Sequence, residues 1–467
     1  NEDDQEPNNP DVGAGDDGVG TDTDSDGIAD SEDDDIDGDG LPNGQDDDPT
    51  DPDIGNAFAT QADTWTTSVE EGQQTTGANV SVFGWSYTAS QIADDINGLE
   101  DESVSTDIAK KDDVSVSGFL TEDQTWTNDR FYILDGKTYV QEDVTLTIEP
   151  GTIIKGSAST GANASALIVS QGGTLIANGT AEKPIIFTAE ADNIKLGETA
   201  GTNLGINDRQ LWGGLLVLGK ARGSFSGDAV AIQIEGLPAN EPGAYGGNNN
   251  ADDSGILDYI SVRHGGAIIG SDNEINGISL GAVGSETQVS NLEIVANADD
   301  GLEIFGGTVD VSNVIVWGCE DDQFDLDEAY SGTLSNIASI QVNDSDHAIE
   351  SDGPAGSFEA AYTIDGMTMF GDNSADDGNT GNREYIDFRE GNLATIKNVY
   401  AFGFPKGADV ELDEDDTTPD GTLVAESQDA LNYNEGLIKF ENWQVVYPEG
   451  DDNFVMWNNT SESVVIE

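Results

Sequence analysis

The chain has 467 residues, and its 93 acidic side chains outnumber 16 basic ones, which gives a formal net charge of -77. Nucleic acid and anionic membrane surfaces would repel such a chain, so divalent cations are the better partners. No segment approaches the ~18 consecutive apolar residues that a membrane-spanning helix needs. The single cysteine, Cys319, excludes an intrachain disulfide, and we expect it to be a small buried residue.

The N-terminal residues 1–20 are acidic and have little to bury, so we expect them to be flexible. The chain begins at Asn1 without methionine, which is typical of a protein whose signal peptide has been removed. These features predict an extracellular protein, or one at the outer-membrane surface of a Gram-negative bacterium. They leave open whether a lipid-bearing cysteine preceded the first residue.

Residues 21–53 contain two copies of one acidic pattern, offset by 13 residues. Oxygen ligands at positions 1, 3 and 5 of such a loop converge on a hard cation, and glycine at position 6 allows the sharp turn. Position 7 offers a backbone carbonyl, and positions 9 and 12 complete the shell. The pattern predicts Ca²⁺ ligands at Asp22, Asp24, Asp26, Ile28, Asp30 and Asp33, and again at Asp35, Asp37, Asp39, Leu41, Asn43 and Asp46. The alternative is an unstructured acidic linker.

Each loop alone resembles an EF-hand or dockerin loop, but no helices of the right pattern flank it. The short tandem period is similar to that of the thrombospondin type 3 repeat, whose acidic loops wrap calcium. The repeat lacks the cysteines of many animal versions, as bacterial versions commonly do.

Residues 54–113 are mixed in composition and are predicted to form a connecting or capping segment. Within it, Ser90–Glu100 carries Ile92, Ile96 and Leu99 at helical spacing, which predicts a short helix.

From residue 114 onward, short β-rich segments recur at intervals near 22–24 residues, which indicates a solenoid. One register contains five aligned segments: Asn276–Leu280, Asp300–Ile304, Asp322–Leu326, Asp346–Glu350 and Glu384–Phe388. A second register begins with an amide at Asn291, Asn313 and Asn336, and continues at Asn398 and Asn442. Asparagines stacked at a turn can hydrogen-bond to one another from coil to coil.

The segments Leu146–Thr152, Leu167–Thr174 and Asn178–Thr188 resemble the opening coils of right-handed, pectate-lyase-like β-helices. Trp212–Gly219 is similar to the next coil in β-helix surface proteins and lipoproteins of Gram-negative bacteria. The resemblance implies an all-β, right-handed parallel β-helix over 114–410, with the last coils and a C-terminal cap in 411–467. A β-sandwich is the alternative fold, but the long regular period disfavours it.

Asp300, Asp322 and Asp346 fall at one predicted register, with Asp299, Asp321 and Asp344 beside them. Stacked carboxylates about 5 Å apart either take up protons or collect cations. The pattern therefore predicts a second metal site at Asp300, Asp322 and Asp346, with a solvated turn face as the alternative.

Polyuronide lyases on this fold typically use an arginine or lysine base, for which the candidates are Arg263, His264, His347, Arg383 and Arg389. A structural hydrogen-bonding role is the expected one for Arg263 and His264. No nucleophile elbow, P-loop, zinc-ligand spacing or dinucleotide fingerprint occurs. The sequence thus predicts a non-enzymatic, calcium-binding structural or adhesive surface protein that associates with itself, through its β-helix ends and acidic arm, or with surface glycans. The alternatives are a polysaccharide lyase or hydrolase, and a surface lipoprotein accessory to a receptor or transporter.

Overall fold

The computed structural model describes residues 65–159, 161–270, 273–372, 384–405, 408–412 and 428–447, and the short strands at 455–456, 458–459 and 462–463. The calcium loops predicted over 21–53 lie outside these residues, as does Arg383. Within the described part of the chain, no helix has the length and apolar character needed to cross a membrane.

Strands are the main regular secondary structure of the described residues. In chain order these are β1 (Thr66–Ser68), β2 (Val114–Leu120), β3 (Gln124–Trp126), β4 (Phe131–Val140), β5 (Thr145–Ile148), β6 (Ile153–Gly156), β7 (Ala166–Val169), β8 (Thr174–Asn178), β9 (Ile185–Ala189), β10 (Leu215–Leu218), β11 (Ile232–Gln233), β12 (Ala244–Tyr245), β13 (Gly255–Arg263), β14 (Ala267–Gly270), β15 (Asn273–Ile275), β16 (Ile278–Gly281), β17 (Gln288–Val295), β18 (Leu302–Phe305), β19 (Val311–Trp317), β20 (Phe324–Asp327), β21 (Thr333–Ile340), β22 (His347–Asp352), β23 (Tyr362–Phe370), β24 (Glu384–Arg389), β25 (Ala394–Phe402), β26 (Asp409–Glu411), β27 (Ile438–Val445), β28 (Val455–Met456), β29 (Asn458–Asn459) and β30 (Glu462–Ser463).

The helices are short. They comprise α1 (Tyr87–Ile92), α2 (Gln428–Asn434) and single 3-10 turns at Val80–Phe83, Ala93–Asp95, Gly161–Asn163 and Ser226–Asp228.

Successive coils stack in parallel and build three faces. The first face contains the second half of β4 and then β7, β10, β16, β18, β20, β22, β24 and β26. The second face contains β3, β5, β8 and the first halves of β13, β17, β19, β21, β23, β25 and β27. The third face contains the first half of β4, then β6, β9 and the second halves of those long strands. The ladders between coils are parallel, which confirms the predicted all-β parallel β-helix and excludes the β-sandwich.

The corner between the second and third faces is built by asparagines in the left-handed backbone region. Asn291, Asn313, Asn336, Asn398 and Asn442 have φ between 52° and 58°, a conformation that asparagine tolerates better than most residues. Their amides form a ladder, with Asn313 Nδ2 donating to Asn291 Oδ1 at 3.0 Å and Asn336 Nδ2 donating to Asn313 Oδ1 at 2.8 Å. Farther along, Asn442 Nδ2 donates to Asn398 Oδ1 at 2.7 Å. The predicted asparagine ladder is confirmed.

Inside the stack, apolar side chains from the three faces form one long core. Leu280, Ile304 and Leu326 repeat one inward position on the first face and are at most 1% exposed. Cys319 is fully buried, as expected. Because this apolar core is continuous, each coil is stabilised by packing against the coils next to it.

Residues 65–113, here called the strap, run along the outside of the third face from the last coil toward the first. Strand β1 pairs with β27 at the far end of the stack, and Trp65 packs on Phe440 there. Phe83 packs against Ile315 and Ala338 in the middle of the face. The strap therefore connects coils that are distant in sequence.

The strap helix is displaced from its predicted position. Helix α1 spans Tyr87–Ile92, because the Ser86 hydroxyl caps it by accepting from the Ala89 N–H at 3.0 Å. The predicted span Ser90–Glu100 is wrong beyond the 3-10 turn that ends at Asp95. Ile96 and Leu99 are nevertheless buried, because they pack on the third face rather than along one helix.

Candidate metal centre

One register position on the outside of the first face changes from apolar to acidic along the stack. We call this series of paired residues the outer column. It consists of Phe119, Tyr139, Ile168, Leu216, Ser279, Glu303, Asp325, Glu350, Asp387 and Glu411. Neighbouring members lie on strands about 4.8 Å apart. Its last five members are carboxylates, which we call the acidic half.

An insertion at 219–254 covers the middle of the outer column. Its Phe225, Ile234, Leu237 and Tyr245 pack on the apolar outer side chains of the neighbouring coils. The insertion also places Glu235 beside Asn276, whose Nδ2 donates to Glu235 Oε1 at 3.1 Å and to Glu303 Oε2. The insertion therefore closes one end of the acidic half, and Asn276 holds its first carboxylate, Glu303.

Three carboxylates converge at that closed end. Single oxygens of Asp300, Glu303 and Asp325 all lie within 4.8 Å of one another, and the three residues are only 5–8% exposed. Asp325 Oδ1 is buried and has no hydrogen-bond partner among the described residues. We call this cluster the central triad. Since three adjacent buried carboxylates repel one another, the cluster requires protons or a cation.

The pKa values of the three carboxyl groups agree with this need for protons or a cation. Burial, reinforced by the surrounding carboxylates, raises the pKa of Asp300, Glu303 and Asp325 well above the usual range for such groups. A bound divalent cation would have the opposite effect and would favour the ionised forms.

Two further clusters flank the central triad. Asp299, Asp300 and Asp321 also bring oxygens within 4.8 Å of one another, and Asp321 is the most exposed of the three residues. Burial together with Glu235 raises the pKa of Asp299 to about 9, and burial together with Asp322 raises that of Asp321 to about 6. The third cluster, at the far end of the acidic half, consists of Glu384, Asp409 and Glu411. Acidic oxygens thus follow the face over several coils.

Two basic residues on or beside the acidic half, Arg389 and His347, form ion pairs. Arg389 forms an ion pair with Glu350, and its Nε donates to Asp352 Oδ1 at 2.7 Å. His347 Nδ1 lies 2.9 Å from Asp322 Oδ1. Burial alone would lower the pKa of His347, but the negative charge of Asp322 and Asp346 raises it to about 10. These two side chains therefore offset part of the negative charge of the carboxylates beside them.

The predicted site residues Asp300 and Asp322 link successive coils. Asp300 Oδ1 accepts from the Asp322 N–H at 3.0 Å, and Asp322 Oδ1 accepts from the His347 N–H at 2.7 Å. The predicted register of Asp346 is wrong by one residue, because Asp325 pairs with Glu350, a step of 25 residues. The extra residue lies in a tight turn in which the Ser345 N–H donates to the Val342 carbonyl at 2.9 Å. Asp300 belongs to the central triad, whereas Asp322 and Asp346 do not.

Arg263 and His264 lie away from the acidic half and are 1% and 2% exposed. Arg263 Nε donates to Ser261 Oγ at 2.6 Å, and His264 Nδ1 lies 2.8 Å from the Asp208 carbonyl. Asp344 pairs with Arg209 at 3.3 Å. These contacts are structural.

Sequence reasoning missed most carboxylates of the clusters. A signal was present, because acidic residues accompany buried apolar ones in the four aligned segments that follow Asn276–Leu280, and alternate residues of a strand face opposite sides. The missed residues are Glu303, Asp325, Glu384, Asp409 and Glu411.

The raised pKa values of two further carboxyl groups predict how the stability of the protein depends on pH. Burial and Glu390 raise the pKa of Glu328 to about 8 and that of Asp352 to about 7. The folded state then holds protons that the unfolded chain would release, so this contribution is complete below about pH 4 and is lost as pH rises toward 8. In EDTA, we expect the melting temperature to fall between pH 5 and pH 8. A melting temperature that rises over this range would contradict the account.

A family model described as a pectate-lyase-like β-helix domain matches residues 118–447. No curated protein and no solved structure matches the chain significantly.

Proposed function

The chain belongs to the pectate-lyase-like β-helix family, and we propose that it is a calcium-binding, extracellular structural or adhesive protein whose acidic half holds divalent cations. The observation that carries the proposal is the central triad. There, three nearly buried carboxylates converge and Asp325 Oδ1 has no hydrogen-bond partner in the described part of the chain.

Calcium fits the donor set better than other common metals. It takes six to eight oxygen ligands at about 2.3–2.6 Å, so two oxygens on one ion lie at most about 5 Å apart. The oxygens of the central triad lie within 4.8 Å of one another. The clusters contain carboxylates and no cysteine or histidine, whereas zinc and copper favour sulfur or nitrogen ligands.

The acidic loops at 21–53 are proposed as a second set of calcium ligands, on the strength of their 13-residue offset. Extracellular calcium modules work at dissociation constants of about 10⁻⁴–10⁻³ M, which suits an exposed, highly acidic protein. Calcium would also reduce the self-repulsion that opposes association between copies of the chain. Location at a Gram-negative cell surface, self-association and attachment to surface glycans are parts of the same proposal.

Titration calorimetry with CaCl₂ tests the proposal. Wild-type protein should show two classes of site, and the double variant Asp300→Asn/Asp325→Asn should lose one class. The double variant Asp24→Asn/Asp37→Asn should lose the other class. Glu286→Gln, which removes an exposed carboxylate outside the clusters, is the matched control and should keep both. Unchanged stoichiometry in Asp300→Asn/Asp325→Asn would refute calcium binding by the central triad.

A second candidate, polysaccharide cleavage, is favoured by one observation. Asp299 and Asp321 bring oxygens within 4.8 Å of each other, and their pKa values are raised unequally, to about 9 and about 6. Unequal carboxyl pairs serve as acid and base in glycoside hydrolysis. A reducing-sugar assay that shows turnover by wild-type protein and at least a 100-fold loss in Asp321→Asn would support this candidate over the first.

A further inference from the structure

The apolar end of the outer column leaves an aromatic ring in solvent. Phe119 is 53% exposed, more than any other aromatic side chain that the structure describes. Its ring centroid lies 5.2 Å from that of Tyr139, with the two planes tilted by 35°. Tyr139 itself is only 5% exposed. Phe119 therefore presents a supported aromatic surface to solvent.

Polar groups surround this ring in a shallow pocket of about 340 Å³, within the usual range of roughly 300–1,000 Å³ for small-molecule sites. The Glu241 carboxylate is held in place by the Tyr139 hydroxyl, which donates at 2.7 Å, and by Lys137 Nζ at 2.8 Å. Asn163 and Asn240 line the same pocket and are exposed. The structure places a fixed acceptor and two solvent-facing amides around an aromatic face.

The charge in the pocket is internally balanced. Lys137 Nζ contacts Glu241 and also donates to the Ala162 carbonyl at 2.7 Å, and its side chain is only 7% exposed. The pocket therefore offers no free cation for a uronate, sulfate or phosphate group. Neutral ligands with several hydroxyl groups fit better, because amides and carboxylates bind hydroxyls while the ring covers an apolar surface.

We propose that the pocket formed by Phe119, Asn163, Asn240 and Glu241 binds a neutral sugar unit of a glycan. The sugar ring stacks on Phe119, and its hydroxyls hydrogen-bond to the two amides and to Glu241. This site lies several coils from the central triad. It specifies the glycan attachment included in the proposed function, and a test in EDTA separates it from calcium binding.

Pairing with a second copy would be another use for the same region. Strand β2 pairs with β4 and has no second strand partner in the described part of the chain. However, its register shifts between Val116 and Gly118, and irregular edges resist strand addition. These observations favour the sugar.

Affinity electrophoresis in native gels tests the proposal with galactomannan, xyloglucan and laminarin as neutral probes and polygalacturonate as the anionic one, all in EDTA. At least one neutral glycan should retard wild-type protein, and Phe119→Ala should weaken the apparent affinity at least tenfold. Asn240→Ala should weaken it less. Val230→Ala removes another exposed apolar side chain, 59% exposed, and should leave the affinity unchanged.

Three results would overturn the proposal. The first is migration unaffected by all three neutral glycans, and the second is equal retardation of wild type and Phe119→Ala. The third is an oligomer, seen by sedimentation, that Phe119→Ala dissociates, which would assign the ring to an interface between copies. Circular dichroism should confirm that the exposed substitution leaves the fold intact.

Discussion

The substitution Asp325→Asn is expected to stabilise the protein in the absence of calcium and to destabilise it in the presence of calcium. In EDTA at pH 8, Asp325→Asn should be more stable than wild type, because it removes a buried carboxylate with an unpartnered oxygen. Asparagine keeps a neutral polar group at this position, whereas folding of wild type at pH 8 must either protonate the Asp325 carboxyl or bury its charge, because burial raises its pKa well above the usual range. In calcium, wild type should become the more stable protein, because a ligand at 100 times its dissociation constant adds about 2.7 kcal/mol.

Urea unfolding in EDTA and in 10 mM CaCl₂ measures both differences. Glu286→Gln changes the net charge equally but removes an exposed carboxylate, so its two differences should be small and of the same sign. If Asp325→Asn is destabilising by the same amount in both solutions, the Asp325 carboxylate has a purely structural role.

The second large effect concerns the attachment of the strap to the third face. Arg263→Met should lower the free energy of unfolding by about 3–5 kcal/mol, because it leaves the partner charge of a buried ion pair uncompensated. Arg263 and Glu293 are 1% and 0% exposed, and Arg263 Nη2 lies 3.5 Å from Glu293 Oε2. Glu293 in turn accepts from the Thr88 N–H at 2.6 Å and the Tyr87 N–H at 3.2 Å, at the start of α1.

Urea unfolding, together with limited proteolysis of the strap, measures this effect. Lys195→Met breaks an exposed pair with Glu198 and should cost less than about 1 kcal/mol. The double variant Arg263→Met/Glu293→Met should recover part of the loss, because it leaves neither charge buried alone. A loss below about 1 kcal/mol in Arg263→Met, with proteolysis unchanged, would show that this pair does not hold the strap.

The features of the fold that repeat along the chain could be predicted from sequence. Asn291, Asn313 and Asn336 mark one corner in successive coils, because each must adopt a backbone conformation that few residues tolerate. Their spacing therefore gave the coil length and the parallel stacking. The same reasoning failed at Asp346, where a turn adds one residue and shifts the register.

The contacts that do not repeat could not be predicted in this way. The strap crosses coils hundreds of residues away, and Thr66 pairs with Trp443, a contact that leaves no periodic pattern. The insertion that carries Glu235 does not repeat either, so a periodic pattern could not reveal it. The central triad combines residues from two coils and from both a turn and a strand, so it required the three-dimensional structure. Asp300 was found because it begins an aligned segment, whereas Glu303 and Asp325 lie inside strands.

Anomalous diffraction from crystals grown with terbium in place of calcium would test the metal-site claim most directly. We predict a peak within about 2.6 Å of carboxylate oxygens of Asp300, Glu303 and Asp325, given the ligand distances of such cations. A map with no peak there, and with the three carboxyl groups hydrogen-bonded to one another at neutral pH, would contradict it.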